Sequence, residues 1–296
     1  VSASAANGTA MLDGTLRAQA ASGFASGSAH IDVAELASFD VLNQKLEQSG
    51  FDSLRSVRVR NGDIAIGSAV QAHTVEVTAD RGGISLRGDI DASGVAGGKV
   101  KLAARDDIVL HADSSIVARA TGANESGGNV EISTSGEGDP SLGYIRILPG
   151  ARIDVAGNGA GENGRVHLRA PRIGNDIKIS GAATGVAPVA ASVVENSART
   201  TAEAFAVHTT AAAGQITAAV IGAAQDSALS FMDSTTAGTR LPGMQLVPGV
   251  EIRNPNGSLT LATEWDLSAW RYGDRAGILT LRARDDLNID RSLSDG

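Results

Sequence analysis

Two pairs of adjacent aspartates are the side chains best suited to chemistry in this sequence. Asp106 and Asp107, like Asp285 and Asp286, directly follow an Ala-Arg dipeptide. Clustered carboxylates on one exposed sheet can perform general acid–base catalysis on polysaccharides. Neighbouring residues of a strand point to opposite faces, so each pair can act together only in a turn. We favour aspartates that accept hydrogen bonds from turn amides, and we keep a polysaccharide lyase or glycoside hydrolase as the alternative.

A second candidate is the group of aromatic residues Trp265, Trp270 and Tyr272. Only 3% of the chain is aromatic, so this concentration is unusual for the sequence. Exposed rings at such spacing stack on sugar faces, which would make the three residues the glycan contacts of a binding module. The alternative, which we favour, is that the rings cover apolar surface of the fold.

Other kinds of site have little support. The chain has no cysteine, and its five histidines stand singly, without the short spacings of a zinc site. The Gly-x-Ser-x-Gly nucleophile motif does not occur. We therefore expect no catalytic residue, no metal ion and no cofactor.

Charge and hydropathy exclude two further classes of partner. The 25 basic and 33 acidic residues give a net charge of −8, and no basic run stands beside aromatic residues, so we expect no nucleic-acid binding. No stretch approaches the length of apolar sequence that spans a bilayer, so we also expect no membrane insertion.

Repeated segments indicate the fold that must position these residues. Segments 97–102, 127–132 and 163–168 each begin with a glycine turn and continue as alternating apolar and polar residues. Similar short strands recur between Ile64 and Ile179. Such strands are too short for an open sheet, whereas successive turns of chain stacked in parallel would place each inward aliphatic residue over another. The pattern predicts an all-β fold, a β-solenoid, with glycine and asparagine supplying positive φ at its corners.

Two other repeats are recognisable. Segments 148–153 and 247–252 both place a Pro-Gly turn before an inward isoleucine, and segments 102–110 and 281–289 share Leu-x-Ala-Arg-Asp-Asp before a second strand. Each predicts that equivalent turns recur along the stack.

Two stretches break the strand pattern. Apolar residues at helical spacing predict a short helix near residues 33–50, capped by Asp32 and ended by Gly50, with Leu36, Phe39, Leu42 and Leu46 on its buried face. The stretch 182–239 is rich in Ala and Thr and lacks strand alternation, so we expect a partly helical or loop excursion. Its helical face would carry Ile216, Val220, Ala224, Ala228 and Met232.

These patterns predict three regions: a β-helix shaft over 1–181, an excursion over 182–240 and a continued β-helix over 241–296. Cutting such a stack leaves unpaired strand edges, so we also expect end-to-end self-association of the fragment.

The glycine turn–strand units, the Pro-Gly segments 149–153 and 248–252, the run 256–261 with its following Trp-Asp-Leu, and the closing segment 277–296 carry a family resemblance. Together they resemble the filamentous haemagglutinin-like large exoproteins of Gram-negative bacteria. The resemblance implies a right-handed parallel β-helix and two-partner secretion through an outer-membrane transporter barrel.

The resemblance further implies a structural shaft in a secreted or surface-exposed adhesin or exoprotein, which projects interaction or effector regions from the cell. A receptor on a host or neighbouring cell would then be the distal partner. The chain starts without Met and shows neither a secretion domain nor a toxin end, so we expect an internal shaft segment.

Overall fold

The computed structural model describes residues 1–21, 24, 26–211, 213–272 and 275–295. The protein is mostly β, with 42% of residues in strands and 11% in helices, which agrees with the predicted all-β class. The chain divides into two compact units. Unit 1 comprises residues 1–170, 178–201 and 240–244, and unit 2 comprises 171–177, 202–239 and 245–296. Residues 182–240, predicted as one region, are thus divided between the two units.

The strands are numbered in chain order. The first fifteen are β1 Ser2–Ala5, β2 Ser28–Val33, β3 Leu54–Val59, β4 Ile64–Ile66, β5 Val70–Gln71, β6 Thr74–Ala79, β7 Ile84–Leu86, β8 Asp89–Asp91, β9 Lys99–Ala104, β10 Ile108–Leu110, β11 Ser115–Val117, β12 Asn129–Thr134, β13 Ile145–Ile147, β14 Arg152–Asp154 and β15 Gly164–Ile173. The remainder are β16 Asp176–Ile177, β17 Ile179–Ser180, β18 Val194–Glu195, β19 Ser197–Thr209, β20 Gln215–Ile216, β21 Gln245–Asn254, β22 Leu259–Leu261, β23 Trp265–Asp266, β24 Arg271–Tyr272, β25 Arg275–Ala276, β26 Ile278–Ala283, β27 Leu287–Ile289 and β28 Leu293–Ser294. The α-helices are α1 Phe39–Gln48, α2 Ala218–Met232 and α3 Thr236–Arg240, and residues Ala191–Val193 form a 3₁₀ turn.

Unit 1 contains three parallel sheets that the chain visits in turn. The first sheet has the strand order β1-β2-β3-β6-β9-β12-β15, the second β4-β7-β10-β13-β17 and the third β5-β8-β11-β14-β18. From β3 to β14 the chain passes from the first sheet to the second, then to the third, and back to the first. The predicted parallel stacking of short strands is therefore confirmed.

Columns of aliphatic side chains fill the inner side of these sheets. In the second sheet Ile64, Ile84, Ile108, Ile145 and Ile179 are register partners in succession, and all are buried. The first sheet has the column Ile31, Val57, Val77, Leu102, Ile132 and Leu168. The third sheet has the column Val70, Ile90, Ile116 and Ile153. Each side chain covers one of similar volume, so the columns pack closely, and burial of this kind contributes about 1.5–3 kcal/mol per large aliphatic residue.

Glycines mark the corners that lead back into the first sheet, but not for the predicted reason. A methyl group added to Gly98 would meet the carbonyl oxygen of His73, one on Gly128 would meet that of Gly98, and one on Gly164 that of Gly128. None of these three glycines has a positive φ. The repeated glycines are therefore needed because successive corners lie too close together for a side chain.

The first helix is shorter than the predicted 33–50. Its N-cap is Ser38, whose hydroxyl accepts a hydrogen bond from the amide of Val41, and Gly50 follows its end with φ +76°. The predicted cap Asp32 instead lies in β2, where its carboxylate accepts hydrogen bonds of 2.9 and 2.8 Å from Arg60. Residues up to Val33 alternate between buried and exposed positions and pair in register with β3. They therefore form a strand, and the helix begins only after Leu36.

Unit 2 corrects the prediction that 182–239 lacks strands. Strand β19 runs to Thr209 and neighbours β21, which pairs in parallel with β26, while β20, β22 and β27 form a second parallel sheet. Small residues carry the inward alternation of β19, and Ala202 and Ala204 are fully buried. Alanine has a low β-propensity, so the sequence pattern did not predict this strand. Burial of the alanines on the pleated surface outweighs that low propensity.

Helix α2 confirms the helical part of the excursion, and its buried face overlaps the predicted one. Its buried residues are Ile221, Ala224, Ala228 and Phe231. Ile216 lies in β20 instead, because the helix begins only at Ala218 after the extended Thr217. Ala224 and Ala228 are buried as predicted, and Val220 and Met232 are partly buried against the same core.

The two Pro-Gly repeats differ in structure. Pro149-Gly150 forms the predicted turn, with φ +96° at the glycine, whereas Pro248-Gly249 lies inside β21. A methyl group on Gly249 would crowd Glu203 and Phe205, so close strand packing explains the second glycine and the predicted turn is wrong.

Candidate functional site

The aromatic residues proposed as glycan contacts are buried. Trp265, Trp270 and Tyr272 expose 2%, 3% and 8% of their surface, and the two indole rings meet edge to face with centroids 5.2 Å apart. They form one core of unit 2 with helix α2 and the inward residues of β21 and β22. No ring face is therefore free to stack on a sugar, which contradicts the glycan-contact alternative and agrees with the favoured interpretation that the rings cover apolar surface.

A partly buried polar group accompanies this core. The guanidinium of Arg172 donates to the carbonyl oxygen of Ser227 at 2.6 Å and also contacts its hydroxyl. Burial raises the pKa of Tyr272 despite the opposing charge of Arg172, and burial together with that charge lowers the pKa of His208. The lowered pKa favours the neutral imidazole of His208. Arg172 fixes α2 through Ser227.

The acidic pairs lie in turns, and their carboxylates accept hydrogen bonds from groups of the fold itself. Asp107 accepts hydrogen bonds of 2.9 Å from the amide of Tyr144 and from Nε of Arg146, while Asp106 pairs with Arg105. Asp107 thereby joins its own turn to the start of the next strand in the second sheet. The two carboxylates have separate partners and do not converge on a common substrate position.

In the second acidic pair, in unit 2, the first aspartate repeats the arrangement of Asp106 and the second has a different partner. Asp285 accepts hydrogen bonds of 3.0 and 2.9 Å from Arg284, as Asp106 does from Arg105. The carboxylate of Asp286 accepts a hydrogen bond of 3.5 Å from the hydroxyl of Ser258. The equivalence predicted for segments 102–110 and 281–289 is confirmed, since each forms a strand, a turn and a strand.

The histidines are also dispersed in the structure. His111 lies 3.0 Å from the hydroxyl of Ser85, and burial lowers its pKa. Among residues 1–21, 24, 26–211, 213–272 and 275–295, no three His, Asp or Glu side chains are grouped as a metal site requires.

The outer face of the first sheet carries alternating charges in unit 1. Ser56, Glu76, Lys101, Glu131 and His167 are register partners on successive strands. Ion pairs of 3.5 Å between Lys99 and Glu76 and of 3.8 Å between Lys101 and Glu131 compensate these charges. The face offers no continuous basic track for a phosphate backbone.

A groove of about 700 Å³ lies beside α1 and was not predicted from the sequence. Met11, Leu12, Leu36 and Val41 supply its apolar lining, and Lys45 stands among its polar residues. Val41 is exposed on the solvent side of α1. An apolar residue at this otherwise polar helix position is the sequence signal that could have indicated an additional apolar surface. The groove can accept an apolar group beside a rim of polar and charged side chains, which includes Asp13, Glu35 and Lys45.

Helix α1 covers the first strands of the second and third sheets in unit 1. Asp40 accepts hydrogen bonds of 3.0 Å from the amides of Gly67 and Ser68, in the turn between β4 and β5, and Asn43 donates to the carbonyl oxygen of Ala69 at 2.7 Å. In later layers of the sheets, backbone groups at this position bond to the preceding strand or turn. Here they bond to the helix instead, which therefore acts as a cap.

The last strands of unit 2 have no such cover in the described residues. Strands β26, β27 and β28 are each the terminal strand of their sheet. Inward-facing Leu287 and Ile289 and the adjacent Leu293 are exposed, whereas their register partners Leu259 and Leu261 are buried. We call β26, β27 and β28 the open edge.

No helix among the described residues has the length and hydropathy needed to cross a membrane. Comparisons with protein-family models, with curated proteins and with solved structures found no match to this chain.

Proposed function

We propose that this chain is a length of right-handed parallel β-helix that forms the structural shaft of a secreted or surface-exposed bacterial exoprotein of the filamentous haemagglutinin-like kind. The observation that carries the proposal is the repeated passage of the chain through three parallel sheets with aliphatic residues in register. A fold of this kind holds distant groups apart without any catalytic centre.

The stacked coils suit a mechanical role. Each coil contacts mainly its neighbours, so stability accumulates along the stack and folding can advance one coil at a time during export. Ion pairs on the outer face, such as those of Glu76 and Glu131, keep exposed strands polar and discourage lateral aggregation.

The arrangement of carboxylates supports a shaft over an enzyme. Asp106 and Asp107 each hold an arginine of the fold, and Trp265 and Trp270 are packed in the core. An enzyme that cleaves polysaccharides needs carboxylates that converge on an accessible bond.

The proposed location is the cell surface or the medium of a Gram-negative bacterium, reached through an outer-membrane transporter barrel. A distal receptor on a host or neighbouring cell would be the partner of regions that the shaft displays. The absence of cysteine suits a chain that crosses membranes unfolded, because no disulfide can form on the way.

An export assay tests this proposal. Residues 1–296 are joined behind a two-partner secretion domain in a Gram-negative host with its barrel, and an epitope is inserted after Glu137 in the exposed loop between β12 and β13. We expect antibody added outside the cells to reach the epitope only when the barrel is present.

The secretion domain alone is the matched control. If it is exported while the fusion stays inside the cell, the shaft proposal is wrong. Turnover of a glycan substrate that is lost in Asp107→Ala would instead establish the enzyme.

A further inference from the structure

The loop between β12 and β13 in unit 1 contains the single Asp-Pro bond of the chain, Asp139-Pro140, and both residues are exposed. An aspartate in this position can cleave the bond that follows it, because its carboxylate can attack its own backbone carbonyl carbon and close a cyclic anhydride. Proline favours this reaction, since its nitrogen belongs to a tertiary amide and leaves as a basic secondary amine. The bond therefore carries its own nucleophile.

The loop fixes the carboxylate of Asp139 and polarises the carbonyl group that it would attack. Oδ1 of Asp139 accepts hydrogen bonds from the hydroxyl of Ser141 at 2.6 Å and from its amide at 2.8 Å. These bonds lower the pKa of Asp139, which favours the ionised, nucleophilic form. The backbone carbonyl oxygen of Asp139 accepts a hydrogen bond of 3.2 Å from the amide of Leu142. This donor lies where negative charge develops during the attack.

The side chain of Lys178 is held against the same loop and is shielded from water. Its Nζ donates to the carbonyl oxygens of Pro140 and Leu142, each at 2.6 Å, and only 4% of the residue is exposed. Burial lowers the pKa of Lys178 against the opposing effect of Asp107 and Asp139, so the ammonium gives up a proton more readily than an exposed lysine. The amine that results is a nucleophile. A proton donor and a nucleophile thus lie beside the residue that would leave.

We propose that the chain cleaves itself between Asp139 and Pro140 and transfers the Asp139 acyl group to Lys178. In the first step Oδ2 of Asp139 bonds to its own backbone carbonyl carbon, the bond to the nitrogen of Pro140 breaks, and this nitrogen takes a proton from the ammonium of Lys178. In the second step the neutral amine of Lys178 attacks one carbonyl carbon of the anhydride. An amide forms, the other carbonyl leaves as a free carboxylate, and the proton lost by the amine ends on the new terminal amine of Pro140.

The rearranged chain has the same mass as the original but a different connectivity. Residues 1–139 end in an amide to Lys178, and Pro140 becomes a new N-terminus. Lys178 directly precedes β17, which pairs with β13 in the second sheet, so the new bond joins the loop before β13 to the next layer of unit 1. A chain without cysteine would thereby gain a covalent cross-link inside its stack. This inference goes beyond the proposed shaft function and does not require it.

Mass spectrometry of a protease digest tests the proposal on the purified chain after incubation at neutral and mildly acidic pH. We expect a branched peptide in which Asp139 is joined to Lys178, and a second peptide that begins at Pro140. The intact mass stays unchanged, because acyl transfer consumes no water, whereas hydrolysis of the anhydride adds one water and yields two fragments. The same chain unfolded in urea keeps the Asp-Pro bond but not the neighbouring lysine, so we expect the branched peptide to be lost there.

Two substitutions at the exposed bond separate the chemistry from the fold. Asp139→Glu would need a larger ring and Pro140→Ala removes the tertiary amide, so we expect both to lose the branched peptide while circular dichroism stays that of the folded chain. Glu137→Gln is the matched control, since it removes a carboxylate of the same loop that does not adjoin the bond, and it should react as the wild type does. Lys178→Arg keeps the positive charge without a nucleophilic amine, so any cleavage in this variant should end in hydrolysis.

Three outcomes would overturn the inference. A folded wild-type chain that forms no branched peptide has a lysine that only anchors the loop through its carbonyl oxygens. Two fragments without a branched peptide would show a labile bond and no transfer to Lys178. A branched peptide that forms equally in Asp139→Glu, or in the unfolded chain, would arise without the geometry of this loop. The export assay depends on none of these results, so the failure of one proposal is distinct from the failure of the other.

Discussion

Asp154 is a buried carboxylate whose surroundings favour its charged form. It is fully buried at the end of β14 and contacts the guanidinium of Arg119, the side-chain amide of Asn196 at 3.2 Å and the backbone amide of Ala156 at 3.1 Å. Burial alone would raise the pKa of Asp154, but these donors outweigh it and hold the pKa below its ordinary value. In its ionised form the residue joins β14 to the segments of Arg119 and Asn196 in unit 1.

Stability of unit 1 should consequently fall in acid. The folded pKa of Asp154 is below its unfolded value near 3.8, so its contribution is complete above that value and is lost as pH falls through the folded pKa. We expect Asp154→Asn to destabilise unit 1 by about 1.5–3 kcal/mol at neutral pH, and this difference to shrink below about pH 4.

Hydrogen exchange resolved by peptide is the suitable measurement, because both tryptophans lie in unit 2 and their fluorescence cannot report on unit 1. Asp285→Asn is the control, since Asp285 is about half exposed beside Arg284 and should leave protection unchanged. Equal loss of protection in the two variants, or a difference that grows in acid, would contradict this account of Asp154.

At the scale of elements, the corners that enter the first sheet determine how closely coils can approach. Gly98, Gly128 and Gly164 lie over one another, and each would bring a side chain against the carbonyl oxygen of the corner before it. Since backbone cannot move aside as a flexible side chain can, the cost of an added methyl group falls on the inter-coil hydrogen bonds.

We expect Gly128→Ala to destabilise unit 1 by about 1–3 kcal/mol or more and to lower protection of the amides in β9, β12 and β15. Gly14→Ala is the matched control, because no atom lies within 4 Å of the methyl group it adds and its φ is not positive. Unchanged exchange in Gly128→Ala would mean that the corners separate easily and that close stacking does not limit the sequence.

The repeats in the sequence were sufficient to predict which segments pair, because period-2 alternation and a fixed glycine position both survive in the linear chain. Val100, Val130 and Val166, aligned from sequence, are register partners in the structure. The reason for the glycines could not be found in this way, since close approach involves residues about thirty positions apart.

Element boundaries were harder to predict where two local patterns overlap. Asp32 fits both a helix cap and a strand, and only pairing of β2 with β3 decides between them. The alanines of β19 carry little local preference, so long-range burial determines that segment.

The aromatic group was predictable in composition, and the sequence favoured its burial without excluding a ligand-facing site. The sequence identifies Trp265, Trp270 and Tyr272 as a group, but whether a ring faces a ligand or a core depends on α2, which lies more than thirty residues away in the chain. The open edge was expected in general from the end of a stack, whereas the cap formed by Asp40 and Asn43 could be recognised only from their contacts with 67–69.

At the scale of the whole molecule, unit 1 stacks repeated passages of the chain through its three sheets, and we expect one complete passage, a coil, to be an exchangeable unit. Ala79 and Ala104 are register partners at the ends of β6 and β9, so removal of residues 80–104 joins equivalent points of successive coils. Strand β10 would then follow β6 and meet β4, which places Ile108 on Ile64, and β12 would meet β6. Every column would lose one layer but keep the same kind of neighbours on both sides.

We expect the chain without residues 80–104 to remain folded, with protected amides in β2–β6 and β10–β15 by hydrogen exchange. The matched control is removal of 80–91 alone, which deletes β7 and β8 but leaves β9, so that the chain re-enters the first sheet without strands for the other two. This half-coil deletion should lose protection throughout unit 1, because its aliphatic columns fall out of register. If both deletions unfold unit 1 to the same extent, coils are not interchangeable and a shaft built from them is excluded; if only the half-coil deletion does so, reach can change by whole coils without loss of the fold.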